Sequence, residues 1–389
     1  MRKGFAAMLK QAPRLSARIG SVSESTTTRI SALAQTLRRQ GREVINLAVG
    51  EPDFATPEPI IAATQKALAE QHTRYGPVPG EPALRSRLAE SFQGYDADNI
   101  LLTNGAKQAL FSLCQVLCDP GDEVIIVRPC WVSFTEQVKL AGGRPVLVDA
   151  GAGFQLDPER IRRAISIRTR AVLINSPNNP TGAVYTAEAV AETARLAGER
   201  ELYLIADEAY HAYTFDGRPH VPAGDVAPDR KRVITVRSFS KHYNMTGFRI
   251  GYVAADKSII QALTRLQSHS TGNVCTFAQY GAMAALAMDQ SIVHQRRDVL
   301  QRRRDAALAL TRAIFECVPG QGAFYLFPQV SALLRSGESS ADFAARLLRD
   351  AGVALVPGEA FHGPGHLRIS FGTDEETLQR AFAKIKEAL

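Results

Sequence analysis

Between residues 100 and 236 the chain sets down five short apolar runs, mostly separated by stretches that read as helix. The runs are Ile100-Leu101-Leu102, Val124-Ile125-Ile126-Val127, Ala171-Val172-Leu173-Ile174, Leu202-Tyr203-Leu204-Ile205 and Val233-Ile234-Thr235-Val236. None keeps a regular apolar–polar alternation, so each reads as a strand buried on both faces. Strands of that kind need helices above and below them, and strands joined by helical crossovers run parallel. The pattern predicts an α/β fold around a largely parallel sheet. A further strand over Val44–Ala48 precedes it, behind a helix over Arg29–Arg39 that Gly41 stops.

From about Ser291 the character changes. A long arginine-rich helix is read over Gln295–Ile314, short strands near Gly322–Phe327 and Leu367–Phe371, and a closing amphipathic helix. These form a second, smaller α+β unit. No repeat and no linker rich in Pro, Gly or Ser separates the two, which predicts tight packing between them.

Composition excludes several classes. Hydrophobic residues make up 45% and charged residues 22% of 389, an ordinary globular balance large enough for a buried site. The formal charge is +7, but bases and acids are interspersed, so no nucleic-acid partner is expected. No apolar run approaches the ~20 residues that span a bilayer. Five cysteines, an odd number, without a secretory segment fit reduced thiols and a cytoplasmic location. Cys114 and Cys118 lie four apart on a helix with no His or Cys pair nearby, so they read as core residues and no metal is expected. Arg2, Lys3, Lys10, Arg14 and Arg18 precede the first acid, Glu24, and read as a short basic arm, with a transit peptide as the alternative.

Chemistry gathers where predicted strands end. Ile100–Thr103 runs into Asn104-Gly105-Ala106-Lys107, where a helix starts with small residues and free N–H groups, a seat for an anion such as phosphate. Ala171–Ile174 runs into Asn175-Ser176-Pro177-Asn178-Asn179-Pro180-Thr181-Gly182, a loop stiffened by proline. Leu202–Ala206 ends in Asp207-Glu208-Ala209-Tyr210, a carboxylate where parallel sheets place their ligands. Val233–Val236 leads to Ser238-Phe239-Ser240-Lys241, with Arg249 eight positions on. An amine nucleophile beside an anion clamp is what pyridoxal phosphate requires. Each segment alone fits a structural turn, cap or basic loop as well. Their order, Asn179, Asp207 and Lys241 each after a strand, brings the three groups to one edge of the sheet.

At this point the chain resembles the class I aminotransferases, pyridoxal-phosphate enzymes of fold type I, and among them the bacterial aspartate aminotransferase branch. The motifs stand in family order: AVGEPDF at Ala48–Phe54, RYGPVPG at Arg74–Gly80, NGAKQAL at Asn104–Leu110, PCWVSF at Pro129–Phe134, SPNNPTG at Ser176–Gly182, DEAY at Asp207–Tyr210, SFSKHYNMTGFRIGY at Ser238–Tyr252 and HLRIS at His366–Ser370. The resemblance implies a large domain over 52–282 with a mostly parallel seven-stranded sheet between helices. It implies a smaller α+β domain over 283–389, joined by an arm and part of that domain over 1–51.

The same resemblance implies the roles. Lys241 would be the Schiff-base lysine and Asp207 the partner of the pyridine nitrogen, with Asn179 and Tyr210 on the ring oxygen and Trp131 on the ring face. Ser238, Arg249 and the backbone of Gly105 and Ala106 would hold the phosphate, next to Lys107. Tyr75 would reach it from a neighbouring subunit, so a homodimer is implied. Arg368 would take the substrate α-carboxylate, which the backbone at Gly50 approaches, and Lys107 the distal carboxylate of an acidic donor. Phe248 and Gly76 depart from the tryptophan and proline common in the family. The implied reaction is a ping-pong exchange between an L-amino acid and a 2-oxo acid such as 2-oxoglutarate. The alternatives are a transaminase for aromatic or other neutral donors, or a lyase or cyclase on the same fold.

Overall fold

The computed structural model describes residues 15–23 and 26–389; most of the basic arm, Arg2 to Arg14, lies outside them. Strand β1 (Ile45–Asn46) follows a helix over Thr26–Arg39. The main sheet is built from β2 (Ile100–Thr103), β3 (Glu123–Arg128), β4 (Arg144–Asp149), β5 (Thr169–Asn175), β6 (Tyr203–Asp207), β7 (Val233–Ser238) and β8 (Gly251–Ala254). Its order is β2-β8-β7-β6-β5-β3-β4. Only β8 runs against its neighbours, pairing antiparallel with β2 and β7. The expected α/β fold is therefore observed, with seven strands, six of them parallel.

The two-sided apolar runs do become the sheet centre. Ile126, Leu173, Ile205 and Ile234 share one core layer with Leu110 and Leu113 of the helix Gly105–Leu117. Ile125, Val172, Ile174 and Leu204 share the other with Val190 and Leu196 of the helix Ala187–Glu199. Each such side chain contributes about 1.5–3 kcal/mol by leaving water. Cys114 and Cys118 join the first layer, where burial pushes their thiols up to about 12 and about 11.

The smaller unit holds β9 (Tyr325–Leu326), β10 (Val353–Ala354), β11 (Val356–Pro357) and β12 (Leu367–Ser370). β12 pairs antiparallel with both β9 and β11, and β1 pairs parallel with β10. Several expected bounds need correction. The long helix is Ser291–Arg312, and Val44–Ala48 contributes only two paired residues, to the small unit and not to the main sheet. Among the described residues, no helix is long and apolar enough to cross a membrane.

Strand register positions the chemistry. Asn175 pairs with Asp207 across β5 and β6, Asp207 with Val236 across β6 and β7, and Ser238 with Gly251 across β7 and β8. Strands β5 and β6 thus end level, β7 runs two residues further, and the loops after all three open on one edge.

Candidate active site

A cavity of about 530 Å³ lies at that edge. Of the residues expected at a site, Gly50, Ala106, Lys107, Trp131, Asn179, Asp207, Tyr210, Ser238, Lys241, Arg249 and Arg368 all line it. Gly105 adjoins it beneath Arg249; with φ at 75°, a Cβ there would stand 2.5 Å from the guanidinium. Tyr75 is not brought in. It is 99% exposed, on a separate depression with Arg74 and Asn273.

The floor is tightly cross-linked. Asn175 Nδ2 donates to the Asp207 carbonyl at 3.0 Å, and its Oδ1 accepts the Asn179 N–H at 2.9 Å. Asp207 Oδ1 accepts the Ala209 N–H at 3.0 Å, yet the carboxylate forms no ion pair among the described residues. Burial pushes its pKa up to about 7, against the lowering effect of the Ala209 N–H. Tyr210 and Tyr325 share a hydroxyl hydrogen bond of 3.1 Å, and burial raises the Tyr210 pKa well above its ordinary value.

The amine of Lys241 donates to the Gly50 carbonyl at 2.7 Å and stands 5.9 Å from the Tyr210 ring. Burial lowers its pKa to about 8; Glu51 acts in the opposite sense, and Arg368 and Arg249 add to the lowering. A large fraction of this amine is therefore neutral near pH 8, which a nucleophile or proton carrier needs.

Arg368 enters from β12. Its Nη1 donates to Asn179 Oδ1 at 3.0 Å and its Nη2 to the Ala48 carbonyl at 2.7 Å, while its buried Nε has no partner. The guanidinium lies 4.3 Å from the Tyr325 ring centre and 5.1 Å from that of Phe361. No carboxylate of the described chain meets it.

At the opposite end, the helix Gly105–Leu117 starts without a side-chain cap from Asn104. Ser238 Oγ donates to Ser240 Oγ at 2.9 Å, and Arg249, left-handed at φ 56°, reaches the Asn104 carbonyl at 3.3 Å. Uncapped N–H groups, two hydroxyls and a guanidinium make an anion seat. Lys107 and Trp131 form the rim, with the ammonium 5.0 Å from the indole centre.

Five lining residues are not marked as site members by the sequence: Ala48, Asn175, Ala209, Ser240 and Tyr325. Ala48, Asn175, Ala209 and Ser240 sit inside segments already singled out. Tyr325 has no local signal and arrives because it pairs with Ser370 on the strand that carries Arg368.

Residues 42–385 match the family model described as aminotransferase class I and II. The chain is 42% identical over 384 residues to an aspartate aminotransferase of Geobacillus stearothermophilus, covering 96% of this chain and 98% of the relative. It is 42% identical over 386 residues to an aspartate/prephenate aminotransferase of Thermus thermophilus, with the same coverage of 96% and 98%. A solved aspartate aminotransferase from Thermus thermophilus with maleate superposes with a TM-score of 0.93 at 42% identity, over 97% of this chain and 100% of that one. The chain belongs to the class I and II aminotransferases, as a pyridoxal-phosphate-dependent transaminase of their bacterial aspartate aminotransferase branch.

Proposed function

We propose that this transaminase takes the amino group of aspartate, or a closely related L-amino acid, and passes it to a 2-oxo acid such as 2-oxoglutarate in a ping-pong cycle. The observation that carries the reading is Arg368. A guanidinium 3% exposed, facing the same cavity as the Lys241 amine and lacking any acid partner among the described residues, is a receptor awaiting a carboxylate. Its planar fork suits the α-carboxylate bidentately. Lys107, a second cation at the rim, suits the distal carboxylate of a dicarboxylic donor. The relatives named aspartate aminotransferase support the same choice.

The donor set fits pyridoxal phosphate. The uncapped helix start at Gly105 and Ala106, Ser238 and Arg249 would hold its phosphate. Asp207, buried with no cation bonded to it, would gain one from a protonated pyridine nitrogen. Asn179 and Tyr210 would contact the ring oxygen, and Trp131 the ring face. When bound, the cofactor supplies an electron sink for charge released at the substrate α-carbon and a carrier for the amino group.

Within that frame the protein's own groups do the following work. Lys241 would hold the cofactor through its amine and, as a free amine, would take the proton from the substrate α-carbon; its depressed pKa leaves it neutral enough to do so. Asp207 would supply a negative charge to the protonated ring nitrogen. Arg368 and the Gly50 segment orient the substrate so that the α-hydrogen faces Lys241. The same groups serve the second half-reaction, after the first 2-oxo acid has left.

Three further readings accompany this one. A small domain over 283–389 stands against a large one over 52–282, and 1–51 adds an arm and part of the small domain, supported within the described residues by the pairing of β1 with β10. Five unpaired cysteines support residence in the cytoplasm. A homodimer completes each site with Tyr75 of the partner subunit, supported by that residue's exposure in its own chain. Mixed Tyr75→Ala and Lys241→Ala subunits should regain activity through hybrid dimers, and no recovery despite subunit exchange would remove the shared site.

The donor assignment is tested by offering the holoenzyme 2-oxoglutarate with aspartate, alanine, leucine or phenylalanine. Glutamate should form fastest from aspartate. A faster neutral donor would place the enzyme in another substrate class.

A further inference from the structure

A second cavity, of about 560 Å³, shares no lining residue with the catalytic one. Three segments wall it: the chain from His211 to Pro219 after β6, His242 and Tyr243 directly after Lys241, and Gln290 to Gln301 at the start of the long helix. Its size lies in the range of small-molecule sites. Its charge is one-sided. Arg218, Arg297 and His294 line it together with His211 and His242, whose imidazoles burial and then Arg237 hold neutral, and no aspartate or glutamate does.

The acids close by are already engaged. Asp216 is held by Arg304 at 2.6 Å, Asp298 by Arg297 at 2.8 Å, and Glu208 by Arg237 at 2.8 Å with His220 at 3.1 Å. Asp289 caps Ser291. Arg218 forms no ion pair among the described residues. His211 donates through Nδ1 to the Glu208 carbonyl, 2.9 Å away, and packs edge-on to His242 with ring centres 4.8 Å apart.

His242 is the second, independent sign of a ligand. It is 7% exposed, and its buried Nδ1 has no hydrogen-bond partner. Native interiors rarely leave such a group unpaired without a functional reason or a bound water or ion. Tyr243 and Gln290, by contrast, are satisfied by each other at 2.8 Å.

We propose that this cavity is a binding site for a small oxyanion, a carboxylate or phosphate ester of metabolite size. Arg218 contributes charge at the opening, Arg297, whose Nε and Nη2 already meet Asp298, contributes its remaining N–H groups, His294 contributes a ring N–H, and His211 and His242 line the interior. A bound anion ties the loop that follows Tyr210 to the first turns of the Ser291–Arg312 helix and rests beside the residue next to Lys241.

The test titrates holoenzyme calorimetrically with inorganic phosphate and, separately, with succinate, in the parent and in the double variant Arg218→Glu/His294→Glu. Both substituted residues are exposed and lie outside the catalytic cavity, so transamination in anion-poor buffer should be unchanged. The parent should bind one anion per chain that the variant binds more weakly by on the order of 10- to 100-fold. His242→Phe, which removes the unpaired nitrogen, should weaken the same event. Loss of phosphate binding alone selects phosphate esters, loss of succinate binding alone selects dicarboxylates, and loss of both assigns a general oxyanion site. Equal stoichiometry and affinity in the parent and in the double variant for both probes overturn the proposal.

Discussion

Four arginines are buried among the described residues, and they divide three to one. Arg237, Arg304 and Arg346 each meet a carboxylate, at 2.8, 2.6 and 2.8 Å, from Glu208, Asp216 and Glu338. Arg368 meets only a side-chain amide and a backbone carbonyl. Arg237 and Arg368 both serve the edge where the parallel strands end, so the difference is not one of location. A buried pair neutralises itself and fastens two strands; a buried cation without an acid holds free energy in reserve for an anion that comes and goes.

Removing each arginine separates these roles, and the expected effects are the largest considered. Arg237→Ala strands the Glu208 carboxylate, now held at about 2 by Arg237 despite its burial, and should cost about 3–5 kcal/mol of stability. Arg368→Ala should leave the melting temperature at or above the parent's, because it deletes an uncompensated charge. Its kcat/KM should fall by about 2–5 kcal/mol, roughly 30- to several-thousand-fold. An Arg368→Ala protein that melts early with kcat/KM intact would collapse the comparison.

The acids of the same edge sharpen it. Glu208 is paired, whereas Asp207 beside it is not and has its pKa raised to about 7 by burial. A carboxyl raised in the fold contributes stability that is fully present below its unfolded value near 4 and lost as pH rises through 7. In cofactor-free protein, Asp207→Asn removes that titration. The variant's stability relative to the parent should therefore grow by about 2–3 kcal/mol between pH 5 and pH 8. A flat difference in urea midpoints across that range would show that Asp207 ionises freely. In the holoenzyme the same substitution should cost activity by about 3–5 kcal/mol, the usual scale for a preorganised electrostatic group.

Lys241 gives the smaller, kinetic counterpart. Burial holds its amine down to about 8, so in cofactor-free protein an amine-reactive reagent should label it about tenfold more slowly for each pH unit below 8 and reach a plateau above. Surface lysines would keep gaining reactivity past pH 10. Mass spectrometry of the Lys241 peptide against pH distinguishes the two curves.

Much of this edge could be read before the fold was known, for a physical reason. Two-sided apolar strands mark themselves in sequence, and a parallel sheet sends every strand end to the same side, so Asn179, Asp207 and Lys241 could be grouped from their order. Arg144–Asp149 was not found because it is an edge strand whose residues are only partly buried, and Gly251–Ala254 begins with a glycine. Tyr325 and the pairing state of each arginine depend on contacts between residues far apart in the chain. Arg237 and Arg368 look alike in sequence, each in a short apolar strand, and only the folded structure shows which one has an acid.

Lys107 offers the finest division, between a cation that recognises substrate and one that merely borders the cavity. Its ammonium faces the Trp131 ring at 5.0 Å, and desolvation, then Arg249, lower its pKa. A distal carboxylate placed beside it would relieve both effects, since it returns a hydrogen-bond acceptor to the ammonium and screens Arg249. The side chain is still exposed at the rim, so solvent already supplies part of that relief and the net gain should be modest, about 1–3 kcal/mol. Lys107→Ala should therefore lower kcat/KM for aspartate by roughly 5- to 150-fold and leave alanine and leucine within about twofold. Arg368→Ala should lower all of them together, because every amino acid carries the α-carboxylate. Measuring the four donors in both variants sets the two cations against each other. If Lys107→Ala also depresses every donor alike, the lysine supports the anion seat with Arg249, and donor choice must come from elsewhere in the cavity.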